Sequence, residues 1–153
     1  MLFGLCCAAG IRLGAKKTAR LVRVRSLHGD LRILSERTMS GCETLVALST
    51  ALSGILFETI GAYLRALSQG SAEEDAAEQA LAQGRFGETE REGMRMFLTG
   101  LSASTRNDLI KRIRVLETVL ERAEREAEPQ AKQARVLRIS GVLAGAGLAI
   151  LLL

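Results

Sequence analysis

The chain has 153 residues, a net charge of +4 and 48% hydrophobic side chains, but only four Phe, one Tyr, no Trp and a single Pro. So few aromatic residues and prolines argue against β architectures, whose strands draw on aromatic and β-branched side chains and whose turns draw on Pro. The apolar content excludes a disordered polyampholyte and the length excludes a large multidomain enzyme, leaving an all-α chain as the expectation.

Residues 1 to 11, MLFGLCCAAGI, carry no ionisable side chain, and Arg12, Lys16 and Lys17 follow them. A cleaved signal peptide places its basic residues before the apolar run, so this segment is expected to stay as a short membrane span or an interfacial helix. Residues 12 to 37 then hold a net +6. Within them Leu21, Val24, Leu27, Leu31 and Leu34 recur at helical spacing, with Arg20, Arg23, Arg25, Asp30 and Arg32 between. No aromatic side chain interleaves the basic run for base stacking, so anionic lipid is a better partner than nucleic acid.

Residues 38 to 104 reverse the sign to a net −5. Gly41 predicts a break, after which Leu45, Leu48, Leu52, Ile55, Leu56, Ile60, Leu64 and Leu67 form a stripe interrupted near Ser53-Gly54. Ser71 with Glu74 three residues on predicts a capping box for a short helix through Gln83. A further helix is predicted over 88–101, presenting Met94, Phe97, Leu98 and Leu101. The acidic residues Glu73, Glu74, Asp75 and Glu78 form a candidate partner surface for a basic protein face.

The longest helix is predicted to begin near Ser104, with Ile110, Ile113, Leu116, Leu120, Ala123 and Ala127 on one face and a kink or short break at Pro129. The stretch 105–138 is net +3. Lys132, Arg135 and Arg138 lead into ISGVLAGAGLAILLL, which at about 1.5 Å per residue covers roughly 22 to 27 Å with Val136 and Leu137, a marginal membrane span. Basic residues on that flank place the preceding domain in the cytoplasm by the positive-inside tendency. Gly141, Gly145 and Ala149 fall on one stripe and Cys6, Gly10 and Gly14 on another, spacing that lets membrane helices approach closely.

The resulting architecture is an all-α helical bundle flanked by N- and C-terminal transmembrane or membrane-associated helices. Its parts are an N-terminal membrane segment (1–17), a cytoplasmic helical domain (18–135) and a C-terminal transmembrane helix (136–153). Arg12, Lys16, Lys17, Arg20, Lys132, Arg135 and Arg138 form the basic flanks of the membrane segments. Catalytic motifs are scarce. His28 is the single histidine, and Cys6, Cys7 and Cys42 have no metal-ligand spacing, so no cofactor, metal site, small-molecule substrate or enzymatic activity is expected. The run Gly10 to Thr18 lacks the phosphate-loop spacing.

Arg138, Gly141, Leu143, Ala144, Gly145, Leu148 and Leu151 to Leu153 in the tail, with Leu101, Ser104, Lys111, Leu116, Leu120, Glu121 and Glu124 before it and Leu34, Gly41 and Leu45 near the start, carry a resemblance over essentially the whole chain. The sequence resembles the stage III sporulation protein AB family. That resemblance implies a fold like the cytoplasmic helical module of the type II secretion F protein. It also implies a non-enzymatic scaffold in the membrane of the mother cell, within the channel complex that joins mother cell and forespore. Its implied partners are a secretion-type ATPase and other subunits of that complex. A tail-anchored helical adaptor of unrelated function is the alternative reading.

Overall fold

The structure, a computed structural model, describes the backbone of residues 2–41, 49 and 51–151 and the side chains of residues 15–41, 49 and 51–136. Five helices lie among the described residues: α1 (Leu2–Ser40), α2 (Ile55–Ser68), α3 (Glu73–Gln83), α4 (Glu88–Leu98) and α5 (Arg106–Leu151). No strand occurs among those residues, so the all-α expectation is met. No helix among them is long and apolar enough to cross a membrane. The side chains of 1–14 and 137–153, most of the expected membrane segments 1–17 and 136–153, fall outside the described residues. Leu45 and Leu48 of the predicted second stripe fall outside them too.

The chain divides into two compact units, Met1–Val22 with Glu124–Leu153, and Arg23–Ala123. The second unit is a helical bundle. Leu27, Leu31 and Leu34 of α1 meet Leu56, Phe57, Ile60 and Tyr63 of α2, Ala76, Ala77, Ala80 and Leu81 of α3, Met94, Phe97 and Leu98 of α4, and Leu109, Ile113, Leu116 and Leu120 of α5. Each fully buried side chain of Leu or Phe size contributes about 1.5 to 3 kcal/mol of burial, which gives this unit a core of its own. Four of the α3 core positions include three alanines, and α3 packs against α2 on that thin face. Gly93 serves the same purpose on α4, because a Cβ there would lie 2.6 Å from Val119 Cγ1 of α5.

In the first unit the buried cluster among the described residues is Leu21, Ala127 and Ala131. Arg20 and Glu126 approach to 3.9 Å beside it, and Lys132 reaches Glu128 at 3.0 Å along α5.

Three local expectations are corrected. The capping box at Ser71 does not form: the N-cap of α3 is Ala72, without a side-chain cap, so Ser71 lies one residue too early. Glu73, Glu74 and Asp75 occupy the first turn instead and meet the positive end of the helix dipole. Pro129 does not give the short break, one of its two expected effects, since α5 runs for 46 residues through it. Pro129 is exposed, and one missing backbone donor is insufficient to end a helix packed on both sides of it by Ala127, Ala131 and Ala134. The fourth helix ends at Leu98 rather than Leu101, because Gly100 takes φ +75° and turns the chain while Leu101 stays buried. The break after α1 falls at Gly41, with φ +77°, as its sequence predicts.

Candidate functional site

Polar side chains that the bundle gathers from distant sequence are concentrated at helix ends. A helix leaves its first N–H groups and last carbonyls without internal partners, and the dipole favours an anion at the first and a cation at the second. Asp30, buried on α1, accepts a 3.0 Å hydrogen bond from the Leu56 N–H at the start of α2. Gly54 makes that approach possible, since a Cβ there would sit 2.6 Å from both Asp30 carboxylate oxygens. Burial pushes the Asp30 carboxyl above its ordinary pKa, the Leu56 and Ile55 backbone hydrogen bonds oppose that, and the neighbouring Glu58 charge adds to it.

Cations close the other ends. Arg106 donates through Nε to the Thr38 carbonyl at 3.0 Å and through Nη2 to the Met39 carbonyl, both in the last turn of α1. Arg112 donates through Nη1 to the carbonyls of Met96 at 3.0 Å and Thr99 at 2.6 Å, at the end of α4. The start of α5 is capped locally. Asp108 accepts from the Thr105 hydroxyl at 2.6 Å, and the Asp108 N–H donates back to Thr105 Oγ1 at 3.3 Å. The Thr105 hydroxyl holds the Asp108 carboxyl below its ordinary pKa.

The four acidic residues of the candidate partner surface do not act alike. Glu73 turns toward the α4–α5 connection, where it accepts from the Gly100 N–H at 3.0 Å and the Ser102 hydroxyl at 2.6 Å. Tyr63 is buried close by, and burial first, then the Glu73 charge, raises its pKa. Glu78 accepts from Arg91 Nη2 at 2.6 Å across α3 and α4. Glu74 and Asp75 are exposed. With Glu78 they line one wall of an open groove of about 510 Å³, and Arg95 and Met96 of α4, with Thr99 just beyond its end, line the other. Met96 is 47% exposed there, an apolar contact point amid charge. Arg95 itself pairs with Glu92 at 2.9 Å, leaving an acidic excess along the α3 wall.

Of the basic flanks, Lys16, Lys17 and Arg135 are exposed, and Arg20 and Lys132 face the acidic residues named above. The side chains of Arg12 and Arg138, and the whole small-residue set Cys6, Gly10, Gly14, Gly141, Gly145 and Ala149, lie outside the described residues. Among the described residues no group of three His, Cys, Asp or Glu side chains is arranged to hold a metal ion. His28 is half-buried on α1.

Asp30, Arg106 and Arg112 do not stand out as a set in the sequence, because each acts across the fold. A signal existed for one of them: Asp30 is the sole acidic residue between Arg12 and Ser35. Thr105-x-x-Asp108 is likewise a legible capping pattern.

Residues 1–153 match the family model described as stage III sporulation protein AB, which covers the whole chain. The protein belongs to that family. No curated protein and no solved structure matches it.

Proposed function

We propose that this stage III sporulation protein AB family member is a membrane scaffold subunit of a channel complex between mother cell and forespore. In that reading its termini sit in the mother-cell membrane (the outer forespore membrane), its bundle faces the cytoplasm, and the bundle couples a secretion-type ATPase to the membrane components. It performs no chemistry of its own.

The observation that carries this reading is the division of labour among the charged side chains of a chain in a sporulation family. Asp30, Arg106, Arg112 and Glu73 each bond backbone groups of another element, so they hold helix ends. Glu74 and Asp75 have no such task and stay exposed on the groove with Met96. A bundle with an exposed acidic edge suits docking of a basic partner surface, where charge complementarity sets on-rate and specificity. The uncharged stretches at both chain ends, each followed or preceded by Lys and Arg, support the membrane placement.

The test is co-purification of the full chain from sporulating cells. Glu74→Arg with Asp75→Arg is expected to leave helix content and thermal unfolding unchanged and to reduce recovery of the secretion-type ATPase several-fold. Undiminished recovery would remove the acidic edge from the docking surface, and absence of the ATPase with the wild-type chain would contradict the coupling role.

A further inference from the structure

The groove between α3 and α4 is shaped by side chains that do not line it. One wall carries Glu74, Asp75 and Glu78, and the other carries Arg95 and Met96 with Thr99. α3 buries Ala76, Ala77, Ala80 and Leu81, so one large side chain interlocks it with the core and polar ties must supply the rest of its placement. Arg91 and Glu78 join the two helices at 2.6 Å, but both side chains are about half exposed, where water and salt weaken an ion pair. Two less exposed ties converge on the α4–α5 connection, residues 99–105. From α3, half-buried Glu73 accepts from the Gly100 N–H at 3.0 Å and from the Ser102 hydroxyl at 2.6 Å. From α5, half-buried Arg112 donates to the carbonyls of Met96 at 3.0 Å and Thr99 at 2.6 Å. All four are charge-assisted hydrogen bonds, the stronger class.

Each tie acts on a different wall. Met96 and Thr99 are themselves groove residues, and Glu73 shares the first turn of α3 with Glu74 and Asp75. Gly100 is where the ties meet. Its φ of +75° favours glycine, and a Cβ there would lie 2.8 Å from Arg112 Nη2, so the guanidinium fits because the connection has no side chain at that position. The Gly100 carbonyl also accepts from the Ser104 hydroxyl at 2.6 Å. Both ties lie within electrostatic reach of buried Tyr63: burial first, then the Glu73 charge, raises its pKa, and the Arg112 charge lowers it. We infer that Glu73 and Arg112 are positioning residues of the groove: they tie its two walls to the α4–α5 connection and so fix the spacing at which Glu74 and Asp75 stand from Met96. Glu73 thus shapes the acidic edge rather than presenting its charge to a partner. The spacing belongs to the bundle itself, and its consequence for docking rests on the proposed function.

The experiment reads the spacing directly, by double electron–electron resonance on the full chain in detergent micelles. Cys6, Cys7 and Cys42 are replaced by Ser, and spin labels are placed on Asp75→Cys and Met96→Cys, one on each wall. A control pair sits on α1 and α2, at Ile33→Cys and Arg65→Cys. The groove pair should give one narrow distance distribution. Glu73→Ala and Arg112→Ala should each broaden it by about twofold or more, as a local opening does, while the control pair keeps its distribution. Glu73→Gln retains an acceptor oxygen for the Gly100 N–H and should restore the narrow distribution. Arg112→Gln, shorter and uncharged, carries the same test should Arg112→Ala fail to fold. An unchanged groove distribution in the Ala variants would overturn the inference. Equal broadening of the control pair would overturn it too, by making both residues general supports of the bundle. The distances are read without a partner, so their failure is distinct from a failure of ATPase recovery, which bears on the docking reading alone.

Discussion

The two compact units differ in how they pay for order. In Arg23–Ala123, five helices converge on Leu, Phe, Tyr, Met and Ile side chains with almost no remaining exposure, and charged groups close the helix ends that the core leaves bare. In Met1–Val22 with Glu124–Leu153, the buried apolar side chains among the described residues are Leu21, Ala127, Ala131 and Ala134, bordered by an ion pair at 3.9 Å. Ordering a residue costs about 1 to 2 kcal/mol of backbone entropy, which burial of the bundle's large apolar side chains offsets. The bundle therefore carries a core of large apolar side chains, whereas the described buried apolar positions of the other unit are mostly alanines.

Core truncation should separate the units most clearly. Leu116→Ala removes a side chain with 1% exposure from the bundle and is expected to cost about 2 to 5 kcal/mol in urea unfolding, whereas Leu21→Ala, packed mainly on alanines, should fall at or below the bottom of that range. Equal costs would break the comparison. Next comes Gly93→Ala. Its Cβ would press on the branched Val119 side chain at 2.6 Å and should destabilise by about 1 to 3 kcal/mol, read as a lower unfolding midpoint.

Asp30 sharpens the comparison through pH. Asp30→Ala uncaps α2 and should cost about 0.5 to 2 kcal/mol. Because burial raises the folded-state pKa, protonation favours the folded chain: that contribution is complete below the unfolded value of about 3.9 and is lost as pH rises through the raised folded value. Stability of the wild type relative to Asp30→Asn should thus rise on acidification from neutral pH toward the carboxylate range, measured by urea unfolding at each pH. A flat difference would mean that Asp30 is solvated. The smallest effect has the opposite sign: Gly29→Ala should stabilise α1 by about 0.5 to 1 kcal/mol, since its Cβ meets nothing and Ala is the better helix former.

Periodicity made most of the fold legible. Leu27, Leu31 and Leu34, and Ile113, Leu116 and Leu120, repeat at helical spacing and are buried as that spacing requires. What the pattern left out was what depends on partners. Phe57 and Tyr63 are buried off the aliphatic stripe of α2, and Ala62 and Ala66 are covered by neighbours that no one-helix pattern contains. The polar clamps were hidden for the same reason: Asp30 and Leu56 are 26 positions apart, and Arg106 and Thr38 are 68 apart. The acidic edge was legible as composition, but its internal division was not. Glu73 looks like Glu74 in sequence, and the fold alone places its carboxylate against Gly100 and Ser102.

Hydrogen exchange on the full chain reconstituted in lipid nanodiscs, compared with the same chain in mild detergent, tests the contrast between the units most directly. The account predicts that buried bundle amides of α2, α4 and the 106–123 part of α5 are protected alike in both, exchanging only on global unfolding, while residues 15–22 and 124–136 gain protection in the bilayer. Equal protection of both units in detergent and in lipid would contradict it.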